Sequence, residues 1–218
     1  MDNVIVERDD TVVTSFPRVS SHYVNPLAYS KAYLDRQSSV LQPNYIVVDT
    51  ETTGLEPSVD RIIEIGAIKY QNHVEVARFH EYVNPGIHIP GFITSINGID
   101  DDMVKHARTI DQVLDDFNTW SENLLLVGHN IAFDIKMIVA EGARVEASIT
   151  TNKVIDTLYL AKKLFKKEEI GNHKLSTIKN YLGMSQLSHR AMDDVEVTAV
   201  VYQIYCEKYG KRKSTQTK

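Results

Sequence analysis

The sequence predicts an α/β protein, a mixed β-sheet flanked by helices. Three observations predict it. Short apolar, β-branched runs, "YIVVD" from Tyr45 and "LLLVGH" from Leu124, read as buried strands. Two alternating runs, "RIIEIGAIKYQ" and "HVEVARFHEYV", read as a hairpin around "QNH". Beyond residue 108, segments with helical spacing alternate with short strands, the pattern of helices packed on a sheet.

Taken in order, residues 1–43 form an N-terminal extension of unknown role, residues 44–210 the folded domain, and residues 211–218 a basic tail. The extension holds Pro17, Pro26 and Pro43, and a helix is expected from about Pro26 to Val40. The first three strands should form a meander, antiparallel at least in part, closed by the turn "NPG". In "TIDQVLDDFNTWSENL", Val113, Leu114, Phe117 and Trp120 fall on one helical face. "QVLDDF" faintly resembles a clamp-binding peptide, but it lies on that core-facing helix. "IAFDIKMIVAEG" is expected to be a helix with Gly142 at its end. "VIDTLYLAKKLF" reads as a strand entering a helix, and "KLSTIKNYLG" as a helix stopped by Gly183. A long last helix, opened by "HRAMDD", closes at Gly210.

Composition sets bounds. The chain has 218 residues, 43% of them hydrophobic, enough for one full core. The net charge of -5 argues against a general nucleic-acid binder, which is usually basic. It leaves room for an enzyme that gathers acids around metal ions. A single cysteine, Cys206, excludes an intrachain disulfide and a cysteine-based zinc site. The start "MDNVIVERDD" lacks the apolar stretch of a signal peptide, and no apolar run is long enough to cross a bilayer. The expectation is a cytoplasmic protein with no membrane partner.

The chemistry concentrates in acids at element ends. Asp49 and Glu51 are two apart on a strand, so both point to one face. Paired carboxylates in a half-buried place repel one another unless a cation sits between them. Carboxylate oxygens suit Mg²⁺ or Mn²⁺. Taken singly, Asp-x-Glu is more often a solvated strand end. Asp134, in the first turn of a helix, is by itself most simply an acid at the positive end of a helix dipole. His189 stands five residues before Asp194.

Together these motifs resemble the DEDD exonuclease superfamily. The order is Asp49-x-Glu51, then Asn130-x-x-Phe133-Asp134, then His189-x-x-x-x-Asp194. The histidine marks the DEDDh branch; the sister branch would carry tyrosine where this chain has Arg190. "YIVVDTETTG", "RIIEIGAI", "INGIDDDMV", "LVGHNIAFD" and "VIDTLYLAK" are similar to the bacterial proofreading exonucleases of DNA polymerase III, over about Asn44 to Glu207.

The resemblance implies an RNase H-like fold and 3′→5′ hydrolysis of single-stranded DNA 3′ ends, releasing nucleoside 5′-monophosphates in proofreading or repair. RNA is the alternative substrate, and a replication-assembly subunit that mainly binds is the alternative role. A DNA polymerase is the implied partner. Two Mg²⁺ or Mn²⁺ ions are the implied cofactors. Asp49 would bridge them, Glu51 and Asp194 would complete one site, and Asp134 would serve the other. His189 would deprotonate the attacking water. Thr52, Thr53, Gly54 and Ile99 would hold the terminal nucleotide, and Asn130 and Phe133 would line the strand path. Lys162, Lys163, Lys166 and Lys167 read first as a solvated helix face.

Overall fold

The computed structural model describes residues 33–147, 149, 151–184 and 190–210. Five strands form one sheet in the order β3-β2-β1-β4-β5. β1 (Tyr45–Thr52) is central and pairs antiparallel with β2 (Ile62–Gln71), which pairs antiparallel with β3 (Val74–Tyr82). The meander expected from the alternating runs is present. Asn72 and His73 turn the hairpin with φ of 51° and 63°, the positive values that a two-residue primed turn needs. β4 (Leu125–Gly128) and β5 (Val154–Asp156) extend the sheet in parallel on the other side of β1.

The helices are α1 (Gly91–Asn97), α2 (Asp101–Val104), α3 (Ile110–Ser121), α4 (Ala132–Val145), α5 (Thr157–Leu164), α6 (Lys167–Ile170), α7 (Leu175–Tyr181) and α8 (Ala191–Tyr209). β1 is apolar on both faces because both are covered. Ile46 and Val48 pack with Phe117 of α3 and Ile138 of α4, whereas Tyr45 and Val47 pack with Leu160 of α5 and Val195 and Tyr202 of α8. Strand alternation therefore assigns the odd positions to the α8 side. Asp49 and Glu51 continue that odd series past the apolar run.

Two expectations are corrected. The helix expected to reach Val40 does not: Tyr33 and Leu34 are helical, but Gln37 then forms a parallel bridge with Val154. Ser38 N–H donates to the Val154 carbonyl at 2.8 Å, and Val154 N–H to that of Arg36 at 2.9 Å. The open edge of β5 offers backbone partners to this segment, and the part of the expected helix before residue 33 lies outside the described residues. Gly142 does not end its helix either. α4 runs on to Val145, and Glu146 takes the left-handed conformation instead. Gly142 is small because a Cβ there would collide with Ile149. The clamp-like "QVLDDF" is absorbed by the core, where Val113, Leu114 and Phe117 are sealed. Among the described residues, no helix is long and apolar enough to cross a membrane.

Candidate active site

The site lies at the end of β1, where the apolar run gives way to acids. Asp49, Glu51 and Asp194 each offer a carboxylate oxygen, and these oxygens lie within 4.8 Å of one another. The first two come from β1 and the third from the first turn of α8, on the face that alternation assigns to them. Asp134 arrives from the opposite layer. It sits in the first turn of α4 and is 3% exposed. Its Oδ1 accepts from the Thr50 N–H at 3.0 Å and from the Thr50 hydroxyl at 2.7 Å. Thr50 lies between the two acids of β1 and points the other way. That inversion holds Asp134 at the rim beside Asp49.

Burial and mutual repulsion dominate the electrostatics. Burial, then Asp134, Asp194, Glu51 and Glu64, push the Asp49 carboxyl well above the usual range. Burial pushes Glu51 up to about 7, opposed by the hydrogen bond from Asn97. Burial pushes Asp134 up to about 7, opposed by the Thr50 hydroxyl. Carboxylates this close are costly to ionise without a positive charge among them. The donor set is all oxygen and anionic, which fits a hard divalent cation such as Mg²⁺ or Mn²⁺ and not a thiolate-seeking metal.

The other expected residues divide by what they touch. Thr52 and Thr53 are buried; the Thr52 hydroxyl donates to the Gly54 carbonyl at 2.6 Å and that of Thr53 to Asp60 Oδ1 at 3.1 Å. Gly54 is required by close approach, since a Cβ there would lie 2.5 Å from the Asp60 carboxylate oxygens. This segment is thus a built turn at the edge of the acid cluster. Asn130 is exposed, in the left-handed region at φ 62°, and its N–H donates to Asp156 Oδ1 at 2.9 Å. Phe133 is half-buried against the core. Ile99 is fully buried among Ile63, Ile89, Ile93 and Val104, so its side chain serves packing. Its N–H donates to Asn97 Oδ1 at 3.0 Å. His189 lies outside the described residues.

Sequence reasoning missed several neighbours. Asn97 Nδ2 donates to Glu51 Oε2 at 3.0 Å and fixes that carboxylate. Asp156 holds the loop before α4 and caps α5, accepting from Leu158 N–H at 2.8 Å. Leu55, Phe92 and Ile96 are large, apolar and 81%, 64% and 60% exposed, on the segments that carry Gly54 and Asn97. The signal for Asn97 was present in "INGI", but an asparagine before glycine reads first as a helix end.

The model of the exonuclease family RNase_T matches residues 46–202. A PolC-type DNA polymerase III of Caldanaerobacter subterraneus subsp. tengcongensis is 39% identical over 163 residues, 74% of this chain and 11% of that protein. One from Thermotoga petrophila is 35% identical over 189 residues, 86% of this chain and 13% of that protein. The chain thus spans 11% to 13% of the length of these relatives. Among solved structures, the nuclease domain of 3′hExo, a DEDDh family member bound to rAMP, has the same fold. Its TM-score is 0.66 at 22% identity, over 79% of this chain and 96% of that one. Exonuclease X in complex with 5′ overhanging duplex DNA gives a TM-score of 0.62 at 22% identity, over 76% and 93%. The mixed sheet with helices on both faces is the RNase H-like arrangement, and the chain belongs to the RNase_T exonuclease family.

Proposed function

We propose that this chain is a 3′→5′ exonuclease that removes nucleoside 5′-monophosphates from single-stranded DNA ends, in proofreading or repair beside a DNA polymerase in the cytoplasm. The observation that carries the reading is the convergence of Asp49, Glu51 and Asp194 within 4.8 Å, with buried Asp134 held alongside by Thr50. The similarity to PolC-type polymerases supports DNA as the substrate and a polymerase as the partner.

Asp49, Glu51, Asp134 and Asp194 would hold two Mg²⁺ or Mn²⁺ ions. Such ions acidify a bound water and neutralise charge on the departing 3′ oxygen. The chain's own groups do the rest. Asn97 and Thr50 orient the carboxylates, so the cage is set before substrate arrives. His189 takes the proton from the attacking water, a role suited to a group that titrates near neutrality. The turn Thr52–Gly54, held by Asp60, brings backbone close to the terminal nucleotide. The exposed Leu55, Phe92 and Ile96 offer apolar surface to its base.

The test is gel-resolved digestion of a 5′-labelled single-stranded DNA oligonucleotide and its RNA counterpart. Each is run with Mg²⁺, with Mn²⁺ and with EDTA, beside Asp49→Ala. Metal-dependent shortening from the 3′ end, faster on DNA and absent in the variant, is expected. Faster loss of RNA would move the chain to the exoribonuclease alternative. No cleavage of either by folded protein would overturn catalysis by this chain alone and favour the binding-subunit role.

A further inference from the structure

Glu64 is fully buried, yet it is not one of the clustered acids. It lies in β2 directly opposite Glu51, and Gly66 lies directly opposite Asp49. Both face the start of α8. Glu64 Oε2 accepts from the N–H of Ala191, the first residue of α8, at 3.2 Å, and Oε1 lies 2.6 Å from His80 Nε2. The residue before α8, Arg190, makes no side-chain cap; its guanidinium donates instead to the Tyr82 hydroxyl at 2.5 Å. The first N–H of α8 therefore takes a side-chain acceptor from the sheet. At Gly66 the helix comes so close that a Cβ would lie 2.9 Å from the Ala191 carbonyl carbon and Cβ and 3.0 Å from Met192 N.

A packing role alone does not explain an acid here. An apolar residue would fill the space without the cost of burying a carboxylate. What the acid adds is a fixed point for the turn of α8 that carries Asp194. We propose that Glu64 and Gly66 are positioning residues for the metal site: one anchors the first turn of α8, the other sets its distance, and together they place Asp194 against Asp49 and Glu51. The proposal rests on the metal-site reading above.

The experiment measures Mn²⁺ affinity by titration calorimetry, with thermal melts by circular dichroism as the check on folding. Glu64→Ala removes both the charge and the acceptor. Glu64→Gln removes the charge and keeps an acceptor oxygen. Gly66→Ala changes no charge and pushes on the helix. Glu64→Ala and Gly66→Ala are expected to weaken Mn²⁺ binding by about tenfold or more, as losses of outer-shell partners do. Glu64→Gln is expected to stay near the wild-type affinity. In turnover, kcat at fixed Mn²⁺ should fall while KM for the oligonucleotide holds. Wild-type affinity in folded Gly66→Ala overturns the proposal, whether or not Glu64→Ala folds. Equal losses in Glu64→Gln and Glu64→Ala also overturn it, because charge and not position would then be the cause. Wild-type protein that binds no Mn²⁺ would instead remove the metal-site reading itself.

Discussion

Two groups of buried acids in this molecule are treated in opposite ways. Glu141, on α4, is 1% exposed and fully provided for. Its Oε1 accepts from Ile62 N–H at 2.9 Å, and its Oε2 lies 3.0 Å from Arg144 Nη1. Arg144 also donates to the Pro57 carbonyl. Burial raises the Glu141 carboxyl, and Arg144 is the first influence opposing it. At the site, the neighbouring charges that act on Asp49 and Glu51 are all other carboxylates. Among the described residues, no lysine or arginine pairs with Asp49, Glu51 or Asp134. Glu141, buried away from the site, comes with its arginine. Among the described residues, Asp49, Glu51 and Asp134 have no such partner, as a site that takes its positive charge from solution requires.

Breaking the site half should have the largest effect. Asp49→Ala removes the carboxylate that faces both Asp134 and Asp194, so cleavage should fall by more than the roughly 10²–10⁴-fold that loss of a general base costs. Mn²⁺ binding should be lost with it, while the melting temperature measured in EDTA should hold or rise because one repelling charge is gone. A large drop in that melting temperature would mean that Asp49 is architectural.

Breaking the arginine-paired half should do the reverse. Arg144→Met leaves Glu141 buried without its cation, which costs about 3–5 kcal/mol. Denaturant titration should show that loss. Mn²⁺ affinity of the folded fraction should remain near wild type. Loss of Mn²⁺ binding in folded Arg144→Met would erase the distinction between the halves.

Stability against pH sharpens the contrast. In the unfolded chain these carboxyls ionise near about 4, whereas in the fold Glu51 and Asp134 are pushed up to about 7. Their contribution is full below the unfolded value and is lost as pH rises through the folded one. Protein stripped with EDTA should therefore melt lower at about pH 8 than at about pH 5, and Glu51→Gln should reduce the difference. Added Mn²⁺ should raise the melting point most at the higher pH, where the carboxylates are ionised. A pH-independent melting point in EDTA would mean that the acids are solvated and relaxed.

The fold and the site were legible to different degrees, for a physical reason. β1 and β4 are apolar on both faces, and α3 keeps its helical spacing, so pattern alone found them. The ladder partners were invisible to pattern: nothing in "RIIEIGAI" says that Glu64 will face Glu51 and reach α8, since that depends on register. The short α1, α2 and α6 carry too few turns for periodicity to register. Gly142 looked like a terminator because a glycine's tight contact with Ile149 leaves no mark in local sequence. At the site, the clustered acids were readable from the family resemblance that their motifs carry together, not from any one of them singly. Their supports, Thr50 and Asn97, were not, because each acts on a residue far away in sequence, Thr50 by two hydrogen bonds and Asn97 by one.

The smallest effect is expected at the exposed edge of the sheet, and it tests whether burial is what separates the cases. Arg78 in β3 lies 2.7 Å from Glu75 and 2.9 Å from Glu196 of α8, with side chains 47%, 41% and 34% exposed. The two carboxylates push the guanidinium further up, but water and salt screen groups this exposed. Arg78→Gln should therefore cost no more than about 1 kcal/mol in denaturant titration, and the difference should shrink as salt is added. Cleavage and Mn²⁺ affinity should be unchanged, although Glu196 shares its helix with Asp194, because Ala191 and not Glu196 anchors the end of α8 nearest the site. A cost equal to that of Arg144→Met would mean that pairing itself, exposed or buried, sets the energy. The lack of a paired lysine or arginine at Asp49, Glu51 and Asp134 among the described residues would then mark a stability deficit of a kind that any surface arginine could remedy.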